Sequence, residues 1–226
     1  MNIVIADHRN WHKNLARNVE ARTAQQVYCF NRPEQVTAKE LRRVHAEILF
    51  LPFWSWRVPD EVYRGFEVVI FHMTDLPFGK GGSPLQNLIA RGIYETKISA
   101  IRCVTELDSG PIYIKRPLTL HGSAEEIFMR AGHIIEDMIV NIISESPVPV
   151  PQQGEAVTFR RRNPEEGNIT ELESLDRVFD WIRMLDAEGY RKAFLEFGKF
   201  RLEFERATLR RDCVKAEVTI KVKTND

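Results

Sequence analysis

The first 72 residues alternate apolar segments with amphipathic ones, and this alternation constrains the fold more than any other feature of the chain. Four short apolar segments have the character of β-strands: residues 2–6, 26–30, 47–51 and 67–71. Amphipathic helical patterns lie between the first three, up to about Arg22 and again at residues 37–45. Strands that alternate with helices form a mostly parallel sheet with helices on its faces. The sequence therefore predicts an α/β, Rossmann-like fold.

The turn after the first strand argues against a nicotinamide cofactor. Dinucleotide-binding folds carry a glycine-rich fingerprint at this turn, whereas this chain has Asp7, His8 and Arg9. A Rossmann-like pattern without that fingerprint does not predict NAD binding.

A proline-rich segment predicts a boundary between two parts of the chain. Before it, Ser123 and Glu126 form a capping-box pattern that begins a helix. The alternating prolines of Ser146–Pro151 then favour an extended linker. We predict a catalytic domain at residues 1–145, and a linker with a small C-terminal α+β appendage at residues 146–226. The expected appendage elements are a short strand joined to a charged turn within residues 157–167, a helix at 175–185, a hairpin around 198–199 and an edge strand at 216–222.

Charge and cysteine content exclude several classes of protein. Lys plus Arg equals Asp plus Glu at 32 each, so the net charge predicts no general attraction to nucleic acid or to an anionic membrane. The three cysteines lack metal-ligand spacing and are odd in number, which suits a reducing compartment and predicts no metal site. No apolar run is long enough for a signal peptide or a bilayer span. We expect a cytoplasmic protein whose partners are small molecules.

The stretch at residues 66–87 is the first candidate for chemistry. The predicted strand at 67–71 leads directly to His72, and a glycine-rich turn follows. Ser83 and Pro84 have the pattern of an N-cap and a first helical residue. A strand, a loop and a helix start therefore converge near His72. Ligands collect at such places in open α/β sheets, although a single histidine at a strand end can equally be structural.

A second candidate lies about 35 residues further on. The segment Glu106–Tyr113 has the pattern of an acidic turn between two strands, with Asp108 in the turn. A carboxylate beside a strand-end histidine forms a plausible acid/base pair. The alternative is an ordinary Asp-Ser-Gly turn whose side chain bonds its own backbone. Cys103 is the only cysteine near these residues, and its apolar strand argues against a thiol nucleophile.

Two interpretations of the aromatic loop at residues 53–59 stay open. Its tryptophans, Trp54 and Trp56, can form a packed corner of the protein. They can also line the binding site of a flat ligand, because exposed aromatic side chains are costly unless something covers them.

Two motifs together resemble the core of the folate-dependent formyltransferases. HMTDLPFGKGGSPLQ and ELDSGPIY match, in order and spacing, the family pattern Asn-x-His, Leu-Pro, a glycine-rich turn and Leu-Asp-x-Gly. One residue departs from that pattern, since Ile70 stands where the family has asparagine. Arg161, Arg162, Pro164, Glu165 and Ile169 further resemble the end of the catalytic domain in sugar-modifying members.

The resemblance implies a formyl transfer from 10-formyltetrahydrofolate to an amine, with His72 and Asp108 as catalytic residues. It places the pterin of the folate at the aromatic loop and at the strand before Asp108. The implied cofactor-binding residues are Trp54, Arg57, Val58, Pro59, Cys103 and Val104. The implied substrate-binding residues are Lys80, Gly81, Gly82 and Ser83. Because Ile70 cannot donate a hydrogen bond, a non-catalytic folate- or nucleotide-binding relative that kept only the pocket is one alternative hypothesis. A formyltransferase that acts on another small amine is the other.

Among acceptors, the sequence favours a nucleotide-linked amino sugar, UDP rather than dTDP, in a surface-glycan route of the pseudaminic or legionaminic acid type. A tRNA acceptor predicts a larger basic C-terminal domain than this neutral chain offers. A sugar diphosphate needs cations, and Lys80 in the glycine turn is the first candidate. Further cations are Arg91, Arg102 and Arg160–Arg162, each of which can also be a solvated charge. The resemblance to sugar-modifying members also implies a homodimer.

Overall fold

The computed structural model describes residues 1–223, which form six α-helices and eleven β-strands. The strands are β1 Asn2–Ala6, β2 Gln26–Phe30, β3 Ile48–Leu51, β4 Glu67–His72, β5 Phe78–Gly81, β6 Glu95–Arg102, β7 Ile112–Thr119, β8 Val157–Phe159, β9 Ala193–Phe197, β10 Phe200–Leu209 and β11 Val214–Val222. The helices are α1 Leu15–Thr23, α2 Ala38–Arg43, α3 Asp60–Gly65, α4 Pro84–Ile89, α5 Ala124–Glu145 and α6 Leu175–Arg183.

The central sheet has the strand order β2-β1-β3-β4-β6-β7. Strands β1 to β4 pair in parallel, while β6 and β7 pair antiparallel with their neighbours. This confirms the predicted α/β fold with a mostly parallel sheet. The change of direction between β4 and β6 determines where the catalytic candidates meet.

Both faces of the sheet are covered, because side chains alternate along the buried strands. Ile3, Ile5 and Phe50 belong to the apolar cluster that includes residues of α1 and α5. Val4 and Leu49, on the opposite face, belong to the cluster that includes residues of α2 and α3. Each fully buried aliphatic or aromatic side chain contributes roughly 1.5–3 kcal/mol of transfer free energy. The sheet is therefore a rigid support for the loops at its ends.

Helix α5 begins where the sequence predicts and is the longest helix of the described chain. The Ser123 hydroxyl accepts a hydrogen bond from the Glu126 amide at 3.2 Å, and the Glu126 carboxylate accepts from the Ser123 amide at 2.8 Å. These two bonds satisfy amides that have no partner within the helix. The helix ends at Glu145, and Ser146 then adopts a left-handed conformation with φ of 46°.

A buried carboxylate connects α5 to the N-terminal part of the chain. Glu136 accepts hydrogen bonds from His12 Nε2 at 2.6 Å, Asn18 Nδ2 at 2.8 Å and Arg22 Nη1 at 2.8 Å. Burial by itself would raise the pKa of Glu136, but the bonds from Asn18, Arg22 and His12 outweigh it and lower the pKa. The ionised form of Glu136 is therefore the one that the fold stabilises.

The chain after α5 crosses back over the catalytic part before it forms a separate sheet. Val150 and Ile112 exchange two backbone hydrogen bonds, and β8 pairs in parallel with β5. Strands β9, β10 and β11 then form an antiparallel sheet in the order β11-β10-β9, with the predicted hairpin at 198–199 and β11 at one edge. The domain boundary at residues 145 and 146 stays a prediction.

Two local features differ from the sequence prediction. Helix α3 was not predicted, although Pro59 precedes it and Asp60 and Glu61 occupy its first turn. Ser83 and Pro84 occupy the predicted N-cap and first helical positions, but Ser83 has a left-handed φ of 51° and its hydroxyl accepts from the Arg162 amide, so it makes no side-chain cap. None of the helices in residues 1–223 combines the length and the apolar character that crossing a bilayer requires.

Candidate active site

Strand β4 and the loop between β6 and β7 form the walls of a cleft of about 1020 Å³. Because β6 runs antiparallel to β4, Arg102 at its end pairs with Val69 and not with His72. The loop at residues 103–111 therefore starts beside the first half of β4 and turns back across the sheet. This return brings Asp108 to His72 at the end of β4.

His72 is buried and its tautomer follows from its neighbours. Its Nε2 lies 2.7 Å from the carbonyl oxygen of Gly79. Because a carbonyl oxygen only accepts, Nε2 carries a hydrogen and donates it. Nδ1 lies 3.5 Å from Oδ2 of Asp108. Nδ1 is therefore the ring atom that can take up or release a proton, beside a carboxylate that stabilises the protonated form.

Asp108 is held in position by the backbone of β5. Its Oδ2 accepts a hydrogen bond from the Gly81 amide at 2.8 Å. Its own backbone is left-handed, with φ of 50°, and the residue is 8% exposed. Lys80 donates from Nζ to the Ser109 hydroxyl at 2.9 Å. The structure thus brings together the predicted histidine and aspartate, and it excludes the alternative of an Asp side chain that bonds only its own turn.

The aromatic loop forms another wall of the cleft. Trp54 and Trp56 pack edge to face with ring centroids 5.1 Å apart, and His8 packs on Trp56 at 4.2 Å. The indole Nε1 of Trp54 is buried and has no hydrogen-bond partner in the described part of the chain. A buried donor without a partner is costly. The unpaired indole donor of Trp54 and the aromatic surface around it together fit a flat ligand that carries hydrogen-bond acceptors, as the pterin of a folate does.

Cys103 lies in the cleft as a protonated thiol. Burial raises its pKa to about 11, and the nearby charge of Asp108 adds to the effect. A thiol is a weak nucleophile until it ionises. The cleft is therefore not arranged for thiol chemistry.

Two side chains in the turn after β1, those of Asp7 and His8, have shifted pKa values. Burial raises the pKa of Asp7 to about 6, although a hydrogen bond from the Arg9 amide and the charge of Arg9 oppose this. Burial and the charge of Arg9 lower the pKa of His8 to about 4. His8 is therefore neutral at pH 7.

Most of the predicted site residues line the cleft, and two do not. Those that line it are His72, Asp108, Trp54, Arg57, Val58, Cys103, Val104, Gly81, Gly82 and Ser83. Lys80 points away to Ser109, so its expected role as a phosphate contact is wrong. Pro59 precedes helix α3 and also lies outside the cleft lining. Among the other predicted cations, Arg102, Arg161 and Arg162 line the cleft, whereas Arg91 and Arg160 do not.

Sequence reasoning missed a second aromatic group that lines the cleft and packs against Phe53 of the aromatic loop. Trp11 stacks on Phe128 at 3.8 Å between ring centroids, and Tyr190 lies 5.6 Å from Phe128. The guanidinium of Arg9 lies over the rings of Trp11 and Tyr190, at 5.2 and 5.8 Å. Phe128 lies in α5 and belongs to none of the motifs in the sequence. No sequence signal connected it with residues so distant in the chain.

Five arginines line the cleft although the whole chain is neutral. They are Arg9, Arg57, Arg102, Arg161 and Arg162, and the carboxylates of Glu106 and Asp108 line it as well. Arg57, Arg102 and Arg162 lie within 4 Å of carboxylates outside the cleft lining. The guanidinium groups of Arg9 and Arg161 have no carboxylate within that distance among residues 1–223. These two arginines are the cations best able to bind an anionic ligand.

Comparison with known proteins identifies the class that this fold and this site define. A family model described as the C-terminal domain of methionyl-tRNA formyltransferase matches residues 164–221. The solved structure of methionyl-tRNA formyltransferase from Clostridium thermocellum is 45% identical, with a TM-score of 0.95. The similarity covers 99% of this chain and 100% of that one. The chain therefore belongs to the formyltransferase family.

Two more distant matches show how far the similarity extends. The methionyl-tRNA formyltransferase of Rickettsia massiliae strain Mtu5 is 26% identical over 145 residues, which are 61% of this chain and 48% of that protein. The chain thus spans about half the length of the curated relatives it matches. A likely sugar N-formyltransferase from Mycobacterium tuberculosis shares only 18% identity, over 96% of this chain and 98% of its own, with a TM-score of 0.69. That likeness shows the fold alone.

These comparisons correct the predicted acceptor and confirm the predicted cofactor for the family. The nucleotide-linked amino sugar is wrong, because the full-length relative at 45% identity is a methionyl-tRNA formyltransferase. The expectation of no nucleic-acid partner is wrong for the same reason, since that relative is named for a tRNA. Enzymes of this family use 10-formyltetrahydrofolate as the formyl donor.

Proposed function

We propose that this protein transfers the formyl group of 10-formyltetrahydrofolate to the α-amino group of methionyl-tRNA. The observation that carries the proposal is the buried pair of His72 and Asp108 in an arginine-lined cleft, in a chain 45% identical over its length to a methionyl-tRNA formyltransferase. When bound, 10-formyltetrahydrofolate supplies the formyl carbon that the amine attacks.

His72 acts as the general base in this proposal. An amine attacks only in its unprotonated form and must lose a proton as the new bond forms. The hydrogen bond from Nε2 to Gly79 leaves Nδ1 to accept that proton. Asp108, 3.5 Å away, stabilises the imidazolium that results. His72 then gives this proton to the folate nitrogen as the bond between that nitrogen and the formyl carbon breaks. A well-placed base of this kind contributes roughly 10²- to 10⁴-fold to the rate.

The reaction also needs a donor for the oxyanion. Negative charge develops on the formyl oxygen, and Ile70 offers no donor to it. The amide of Gly81 already binds Asp108, and the amide of Gly82 binds the Phe159 carbonyl at 3.1 Å. The Nε2–H of His72 is bound to Gly79, so its Nδ1–H, formed when the amine loses its proton, is proposed to donate to this oxygen before the proton passes to the leaving nitrogen.

The folate is proposed to lie between the aromatic loop and the residues that follow β6. Trp54 supplies an unpaired indole donor there, and Cys103 and Val104 form the facing wall. The group of Arg9, Trp11, Phe128 and Tyr190 is proposed to receive the acceptor, since it combines stacked rings with a free cation. Together with Arg161 it offers the contacts that phosphates and bases at a tRNA end require.

A panel of acceptors tests the proposal. The protein is incubated with 10-formyltetrahydrofolate and either methionyl-tRNA, free methionine or a nucleotide-linked amino sugar, and formylated products are measured by mass spectrometry. We expect kcat/KM to be highest for methionyl-tRNA by at least a hundredfold. A higher kcat/KM for either small acceptor contradicts the acceptor. Folate binding without turnover on any acceptor supports the non-catalytic alternative that Ile70 suggests.

A further inference from the structure

The loop that carries Asp108 is held from outside by a side chain of the linker. The Nε2 of Gln152 donates one hydrogen bond to the Asp108 carbonyl oxygen at 2.7 Å and another to the Gly110 carbonyl oxygen at 2.9 Å. Val150, two residues earlier, is fixed by its two backbone hydrogen bonds with Ile112, at 2.7 and 2.9 Å. Gln152 thus reaches the loop from a rigid position.

The orientation of the Gln152 amide is determined by its partners. Both partners are carbonyl oxygens, which only accept, so the NH₂ group must face them. The other amide atom, Oε1, is buried and has no hydrogen-bond partner in the described chain. A single NH₂ group with two donated bonds therefore bridges the two ends of the turn at residues 108–110.

This turn needs an external support because its own contacts are few. Asp108 has a left-handed backbone, which residues other than glycine adopt uncommonly, although aspartate does so more readily than most. Leu107 just before it is 69% exposed, so no packing fixes the tip of the loop. The remaining anchors are the Gly81 amide on the carboxylate and the Lys80 ammonium on Ser109.

Both supports of Asp108 depend on the chain that follows α5. Gly81 and Lys80 belong to β5, whose strand partner is β8. Gln152 lies between Val150 and β8 on the same segment. The segment at residues 146–159, predicted from its prolines to be a linker, therefore forms part of the frame around the carboxylate.

We propose that Gln152 is a positioning residue that holds the Asp108 carboxylate beside Nδ1 of His72, where it stabilises the imidazolium that proton transfer forms. This inference rests on the proposed function of His72 and Asp108. The side chain does not touch the reacting groups. Its effect is to fix the backbone on both sides of Ser109, and so to direct the carboxylate toward Nδ1.

The test compares Gln152→Met and Gln152→Glu with Gln153→Met and Gln153→Glu in the complete chain. Methionine keeps the length of glutamine without donors, and glutamate replaces the NH₂ group with an acceptor. Gln153 is exposed and makes no side-chain hydrogen bond among residues 1–223, so it is a matched control. We expect both Gln152 variants to lower kcat for methionyl-tRNA at least tenfold, with KM for the folate changed less than threefold. The Gln153 variants should remain within twofold of the original protein.

A pH profile separates positioning from a general structural role. A protonated glutamate regains one O–H donor, so the defect of Gln152→Glu should shrink as the pH falls, whereas that of Gln152→Met should not. An unchanged kcat in folded Gln152→Met, or an equal loss in Gln153→Met, overturns the proposal.

The NMR chemical shifts of the His72 ring nitrogens at pH 7 give a readout that needs no acceptor. If Gln152 holds the carboxylate in place, these chemical shifts in Gln152→Met should move toward those of Asp108→Asn. Chemical shifts that coincide with those of the original protein refute the positioning role. Changed chemical shifts together with no transfer to methionyl-tRNA would instead retain the positioning role and reject the acceptor.

Discussion

A pair of glycine substitutions tests whether the glycine-rich turn is required by the packing of β5 against β8. Gly81 has φ of 100° and Gly92 has φ of 72°, so alanine is strained at both. A Cβ at Gly81 would overlap the carbonyl oxygen of Phe159, whereas a Cβ at Gly92 would meet nothing within 4 Å. Both substitutions therefore strain the backbone, but only Gly81→Ala also brings a side chain into contact with a neighbouring strand.

The expected magnitudes follow from the contacts that each substitution disturbs. The positive φ alone costs roughly 1–2 kcal/mol, which is the whole effect expected for Gly92→Ala. For Gly81→Ala, β8 must move away, which weakens the bond from Gly82 to Phe159 at 3.1 Å and the bond from the Gly81 amide to Asp108 at 2.8 Å. With about 1 kcal/mol for the first bond and about 2 kcal/mol for the bond to a charged acceptor, the total approaches about 4 kcal/mol.

Thermal unfolding and formyl transfer measure the two consequences. For a chain of this size, 1 kcal/mol corresponds to about 2–4 °C in Tm, so Gly92→Ala should lower Tm by a few degrees and Gly81→Ala by about 8–16 °C. Gly81→Ala should also lose at least tenfold in kcat, because Asp108 loses its anchor. Equal unfolding free energies for the two variants, with full activity in Gly81→Ala, would refute this account of the turn.

Three further predictions concern the folate, the acceptor and the pH dependence of stability. Trp54→Phe keeps the aromatic surface but removes the indole donor, so the Kd for tetrahydrofolate measured by calorimetry should rise about tenfold, and an unchanged Kd would exclude that bond. Arg161→Gln should raise KM for methionyl-tRNA and reduce the salt dependence of KM, whereas Arg160→Gln, outside the cleft lining, should do neither. Equal effects of the two arginines would contradict a tRNA contact at Arg161. Glu136→Gln should destabilise the protein at pH 7 in urea unfolding. Because the folded-state pKa of Glu136 is lowered, its stabilisation is present above the unfolded pKa of about 4.3 and is lost as the pH falls through the folded value. The difference between the two proteins should therefore shrink below about pH 4, and a constant difference would show that ionisation is not its cause.

The sequence predicted the elements whose signals are local. Strands β1 and β2 begin and end at the predicted residues, since β-branched and aromatic runs bounded by polar turns define both ends. The capping box at Ser123 likewise predicted the start of α5. Helix α3 was missed because six residues with one buried apolar side chain, Val62, give no periodicity.

Site residues that belong to a sequence motif were predicted. Site residues whose role depends only on where the fold places them were missed. His72 and Asp108 followed from the formyltransferase pattern. Lys80 was assigned to phosphate because it lies in the glycine turn, but position in the sequence does not tell which way a strand residue points. The acceptor was wrong because net charge averages over the chain, whereas arginines as distant as Arg9 and Arg161 meet in one cleft. The linker was expected to be passive, and nothing in its sequence indicated that Gln152 bonds the Asp108 loop.

The most direct test of the central claim is the single-turnover rate of formyl transfer to methionyl-tRNA by Asp108→Asn. Asparagine preserves the shape of the side chain and an oxygen for the Gly81 amide, so the fold should be intact and folate binding unchanged. It removes the negative charge 3.5 Å from Nδ1 of His72. We predict a fall in rate of roughly 10²- to 10⁴-fold. A rate within a few fold of that of the original protein would contradict the claim that the His72 and Asp108 pair performs the proton transfer.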